Sequence, residues 1–239
     1  MTISVEEQSN QRKYALTAGT SLIIMAFVAF FSSGFAHASL VVKGDASATY
    51  HNIIAEPLLF KTEILGWFII LITDIVVAWA FYISLKPIHK NLSLLGAWLR
   101  LIYAAILGIT ILNLLFVLLL TKNTTYLSFF KIDQLQAQIM LYLEAFESIW
   151  SIGLIIFGGH LMIVGYLTFK SASVPKIISI FLLLASIGYI VIHLCSTFSP
   201  EYDKFISILQ IVFSIPMIAG ELGFGIWLLL RGGKTSQNG

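Results

Sequence analysis

Charge is the scarcest thing in this sequence. Asp, Glu, Lys and Arg make up 11% of its 239 residues, where a soluble domain carries about 25%. So few charges cannot cover a soluble surface. The 58% of residues that are hydrophobic, with a mean hydropathy of +0.92, exceed what one soluble core would hide. Cysteine is nearly absent as well. The lone Cys195 excludes an intrachain disulfide and a multi-thiolate metal site. It sits in an apolar run, where a small packing residue is the simplest role. The charge balance, 14 basic against 12 acidic residues, is too even to imply nucleic acid. No basic run interleaved with aromatics is present. The sequence contains no HExxH, P-loop, GxSxG or paired-histidine metal motif. No lysine falls deep in an apolar run, so a retinal-type Schiff base has no attachment point.

What the sequence does have is apolar runs long enough to cross a bilayer. The organising stretch is the hairpin over 59–120. Two runs flank the short basic loop Lys86-Pro87-Ile88-His89-Lys90-Asn91. Six spans are predicted, at about 14–35, 58–85, 92–120, 144–169, 176–198 and 205–230, between polar tails at 1–13 and 231–239. The fold class is therefore an all-α, six-helix polytopic membrane bundle. Ala36-His37-Ala38 resembles a signal-peptide cleavage site, but the run before it is longer than the usual apolar core of such a peptide, so a retained span is expected. The outer loop begins at 36. Asn123-Thr124-Thr125 matches a glycosylation sequon, which means little without a eukaryotic source.

Lys and Arg fall unevenly on the two sides. Arg12, Lys13, Lys86, Lys90, Lys170, Lys176, Arg231 and Lys234 lie on the side of the termini. Lys43, Lys61, Lys122, Lys131 and Lys204 lie on the other. The positive-inside rule then puts both termini in the cytoplasm.

Four ionisable residues interrupt the spans. A helix rises about 1.5 Å per residue, which places Asp74 at a depth of about 16 Å, Arg100 at about 12 Å, and His160 and Glu221 at about 14 Å from the cytoplasmic span ends. They come from four helices and fall in one layer. Small residues accompany them: Gly96, Ala104 and Gly108 share a face with Arg100, and Gly66 and Ala78 share one with Asp74. Such stripes let membrane helices approach closely. Pro216, one turn before Glu221, removes a backbone donor.

Intramembrane charges are expensive, and they mark ligand or proton sites by default. A static ion pair that fixes helix register is the competing account. A shallower set, Glu63, Glu144, Glu147 and His193, lies near the outer face. It reads as acids facing headgroups or water, with a carboxylate–imidazole metal site as the rarer alternative. The leading function is binding or transport of a small polar or amphipathic solute through the layer, with proton coupling. The alternatives are an intramembrane enzyme acting on a lipid, with His160 and Glu221 as acid–base groups, and a structural or sensory partner. Catalytic residues are unassigned, and neither a cofactor nor a resident metal is expected. Partners are membrane lipids and a small-molecule or lipid ligand, with homo-oligomers allowed and nucleic acid excluded.

Phe157-Gly158-Gly159-His160-Leu161, followed by Gly165-Tyr166-Leu167, resembles a bacterial membrane family, domain of unknown function number 4386. The likeness extends to Gly44-Asp45-Ala46, Asn52-Ile53, Arg100-Leu101, Pro175, Gly220-Glu221-Leu222 and Trp227-Leu228-Leu229. The resemblance implies a bacterial source and six-helix membrane architecture, and it implies no activity.

Overall fold

The computed structural model describes residues 5–122 and 125–233. Lys234 and two sequon residues, Asn123 and Thr124, lie outside these. Among the described residues every regular element is helical. Elementary chemistry dictates this. In hydrocarbon each backbone N–H and C=O must be satisfied by the protein itself, within one segment in a helix or between strands in a closed barrel.

Helix α1 is Val5–Ala29, and it runs on through a π-helical segment, Phe30–His37, into the short α2, Ala38–Leu40. The helical course therefore passes the expected end at 35, and the turn begins only at Val41. Helix α3, Ala46–Ala55, lies in the loop that follows. The Asp45 side chain caps it, accepting from the Ala48 N–H at 2.8 Å. Helix α4 is Pro57–Leu85, with proline in the first turn, where its missing donor costs nothing. Helix α5 is Lys90–Leu120, α6 is Ile132–Lys170, α7 is Lys176–Phe198 and α8 is Asp203–Leu230. The assigned helix continues across Pro216. Six helical stretches are long and apolar enough to cross a membrane: Asn10–Leu40, Pro57–Leu85, Lys90–Leu120, Ile132–Lys170, Lys176–Phe198 and Pro200–Leu230. At 39 residues α6 is about 58 Å long, well beyond a hydrocarbon core of about 30 Å. Its first turns, with Asp133, Gln134, Gln136 and Gln138, are polar enough to stand outside.

The chain divides into two compact units. The first comprises Met1–Ile24, Thr73–Ala104 and Ser151–Gly239. Buried small and aliphatic side chains fill it, among them Ala18, Val77, Ala78, Ala80, Ala104, Leu167 and Ala185. The α4–α5 turn is tied by the Ser93 hydroxyl, which donates to the Tyr82 carbonyl at 2.7 Å. Arg12 closes the end of α8. Its guanidinium donates to the carbonyls of Leu228, Leu229 and Gly232 at 3.0, 2.5 and 2.7 Å. Carbonyls at a helix end lack some or all of their intrahelical partners, and a cation there also meets the negative end of the helix dipole.

The second unit comprises Met25–Ile72 and Ala105–Trp150. Phe60, Trp67, Ile111, Leu114, Ile139, Leu143 and Phe146 make its core. The π segment packs on α4 at Gly66, where an added Cβ would overlap the Ser32 hydroxyl. A glycine is required for that approach. The wide π turn delivers Ser32 into it and carries His37 onto the same helical course.

Candidate functional site

Three of the four predicted layer residues meet in the first unit. Arg100 comes from α5 and Asp74 from α4, on either side of the basic turn. The Arg100 Nη2 stands 2.6 Å from Asp74 Oδ1, with both side chains buried. His160 on α6 completes the group. Arg100 Nη1 lies 3.1 Å from His160 Nε2, and His160 Nδ1 lies 2.8 Å from the Gly96 carbonyl. The proton positions follow from chemistry. A guanidinium can only donate and a carbonyl can only accept. His160 therefore carries its proton on Nδ1, gives it to Gly96 O, and presents the Nε2 lone pair to Arg100. Gly96 permits this, because an added Cβ would stand 3.1 Å from Ile163 Cγ2 on α6.

Aromatic rings enclose the cation. Phe81 and Phe157 present their faces at 5.8 and 5.3 Å from the guanidinium carbon, within cation–π range. Phe81 also stacks on the His160 ring, 6.0 Å away and tilted by 9°. One permanent charge is thus held by a carboxylate, an imidazole lone pair and two π faces. Asp74 Oδ2 is buried with no hydrogen-bond partner among the described residues.

Glu221 on α8 is not in that first circle. Its Oε1 accepts from the Tyr189 hydroxyl of α7 at 2.8 Å. The Tyr189 ring meets Phe157 edge-on at 5.2 Å, which links it to the ring beneath Arg100. The Glu221 carboxylate lies within electrostatic range of both Arg100 and Asp74. Unlike the triad, Glu221 and Tyr189 are only partly buried. They form the reachable arm of the site.

The shallower candidates separate. His193 does not join the acids. Its Nδ1 lies 2.8 Å from the Ser151 hydroxyl, and its ring stacks on Tyr189 at 6.2 Å, so it belongs with the Tyr189–Glu221 arm. Glu63 and Glu147 belong to the second unit, where both meet His37. Glu63 Oε1 is 2.7 Å from His37 Nδ1, and Glu147 Oε1 is 3.5 Å from His37 Nε2. Glu144 is exposed on α6, one turn before Glu147, and takes no part. Among the described residues no group of three or more His, Cys, Asp or Glu is arranged to hold a metal ion. The imidazole stands between its two acids, so their oxygens do not converge on one point.

Sequence reasoning missed Tyr189, Phe81, Phe157, the Gly96 carbonyl and His37. A tyrosine in mid-span is itself a signal, because its hydroxyl needs a partner. Phe81 and Phe157 look like any lipid-facing or core phenylalanine. His37 was hidden by its flanking alanines and by the serines at 32 and 33, which lower the hydropathy of the run.

Fold and site together define a polytopic all-α membrane protein with an ion-paired network inside its helices. The chain belongs to the family described as Domain of unknown function (DUF4386), which it matches over residues 17–232. It is also similar to an uncharacterised protein of Archaeoglobus fulgidus, 34% identical over 177 residues, or 73% of this chain and 86% of the relative. No solved structure matches it.

Proposed function

We propose that this protein binds a small polar or amphipathic solute at Glu221 and Tyr189, beside the Asp74–Arg100–His160 network, and moves it across the membrane with proton coupling. The observation that carries this reading is the contrast in access within one site. The permanent cation is buried and paired with Asp74 and His160. Glu221 beside them is a residue only partly buried, and among the described residues its carboxylate accepts a hydrogen bond from Tyr189. A carboxylate offers about four lone-pair positions, so Glu221 keeps capacity for a donor group on a solute. Asp74 Oδ2 is a second unused acceptor. Charged groups inside a membrane are costly and are concentrated on substrate and proton paths.

An intramembrane enzyme with His160 as acid or base fits less well, since both ring nitrogens are already engaged. The proposed setting is the cell membrane of a bacterium, with both termini in the cytoplasm. Reporter fusions after Leu85 and Phe169 then read cytoplasmic, and one after Thr121 reads external. An external signal after Leu85 overturns that orientation.

Native mass spectrometry of the full chain purified from membranes tests the site. The wild type retains a co-purifying small molecule, and Glu221→Gln and Tyr189→Phe lose it while keeping their helical signal and elution volume. A wild type that carries nothing, or variants that carry the same mass, returns the network to a structural tie between helices.

A further inference from the structure

The second unit contains a constellation that solute binding at Glu221 does not use. His37, at the end of the π segment, stands between a fully buried carboxylate and a half-exposed one. Glu63 on α4 is 0% exposed, and Glu147 on α6 is 49% exposed. The two acids address different nitrogens of one ring. Glu63 Oε2 is buried with no hydrogen-bond partner among the described residues, so this acid depends on His37. The ring is fixed in place by Phe146, which stacks on it at 5.9 Å and packs edge-on against the buried Trp67 at 5.2 Å. Lys43 is a further charge acting on this group, within electrostatic range of Glu147.

We propose that Glu147, His37 and Glu63 form a proton relay that loads Glu63 from the membrane surface. The 2.7 Å contact is a charge-assisted hydrogen bond in which Nδ1–H donates to the Glu63 carboxylate. The 3.5 Å contact is long for a hydrogen bond, and a few tenths of an ångström of motion by the exposed Glu147 closes it. The step balances without any co-reactant. Glu147 takes a proton from water and gives it to His37 Nε2. The Nδ1–H bond breaks and its proton passes to Glu63 Oε1. One proton has moved from Glu147 to Glu63. The ring ends neutral, with its proton on Nε2, and reversal of the two transfers, Glu63 Oε1–H to Nδ1 and Nε2–H to Glu147, restores the starting state without turning the ring. This inference stands independently of solute binding in the first unit.

Infrared difference spectroscopy after a pH drop, on the full-length protein in lipid nanodiscs, tests it. A protonated-carboxyl band is expected in the wild type and missing in Glu63→Gln. In His37→Gln the band should rise more slowly by at least about tenfold, the scale on which losing a positioned proton carrier is felt. Glu147→Gln should slow it as well, since an amide cannot pass a proton to Nε2. A band that survives in Glu63→Gln, or a wild-type rate in His37→Gln, overturns the relay. If Glu63→Gln does not fold, nitrogen NMR of His37 in the wild type decides. The ring signals should change over the same pH range in which the band grows, and unchanged signals refute the proposal.

Discussion

The two units each bury a histidine between polar partners, and they do so in opposite ways. In the first unit His160 faces a permanent cation and a carbonyl, so both of its hydrogen bonds are dictated by groups that do not change protonation. In the second unit His37 faces two carboxylates, one buried and one half-exposed. Each of those partners exists in two protonation states, so the ring has more than one consistent arrangement. The same side chain is a fixed tie in one place and a proton carrier in the other. What differs is whether the neighbours can exchange a proton and whether one of them is exposed.

The largest expected effect breaks the fixed site. Arg100→Met strands Asp74 without its cation and leaves His160 Nε2 without a donor. Removing one partner of a buried ion pair costs about 3–5 kcal/mol, read from detergent-driven unfolding in mixed micelles. The double variant Asp74→Asn/Arg100→Met should lose less than Arg100→Met alone. Additive losses would show that the contact contributes nothing.

The second effect is smaller and probes the other histidine. His37→Phe fills the ring's space but leaves Glu63 buried without its donor, at a cost of about 1–3 kcal/mol. A loss as large as that of Arg100→Met in the same unfolding assay would show that the second histidine is as much a structural tie as the first.

Tyr189→Phe removes one hydrogen bond to Glu221 while keeping both ring contacts. Hydrogen bonds between membrane helices are worth about 0.6 kcal/mol on average and about 1.7 at most, so the stability change should fall in that range. A larger loss would mean that Tyr189 is a structural post. The smallest effect is expected at Glu147→Gln, within about 0.5 kcal/mol of wild type, as for other half-exposed charges. A measurable slowing of Glu63 protonation with no stability change would set the relay apart from a structural contact.

How much of this was legible before folding depends on the direction in question. Position along a helix axis is a matter of counting, because each residue adds a fixed rise. The six apolar runs, their order, the short basic turn before α5, and the common depth of Asp74, Arg100 and His160 could therefore be read from the chain. So could the pairing of Asp74 with Arg100, which follows from similar depth on two helices joined by a short turn. The chemistry also determined that any spanning segment had to be helical, since no other open backbone is satisfied in lipid.

Direction around the axis is a different matter, because it is set by packing against neighbours that no single helix specifies. Only the tertiary structure decided that His160 turns to Gly96 and Arg100, that Glu221 answers to Tyr189, and that His193 joins that arm. It also decided that Glu63 and Glu147 meet through His37. A residue expected to begin a loop lies on a helix because the π segment follows the contour of α4 at Gly66 and keeps the chain wound to Leu40. Sequence set the depth of each polar group, and the close approach of helices set which groups it faces.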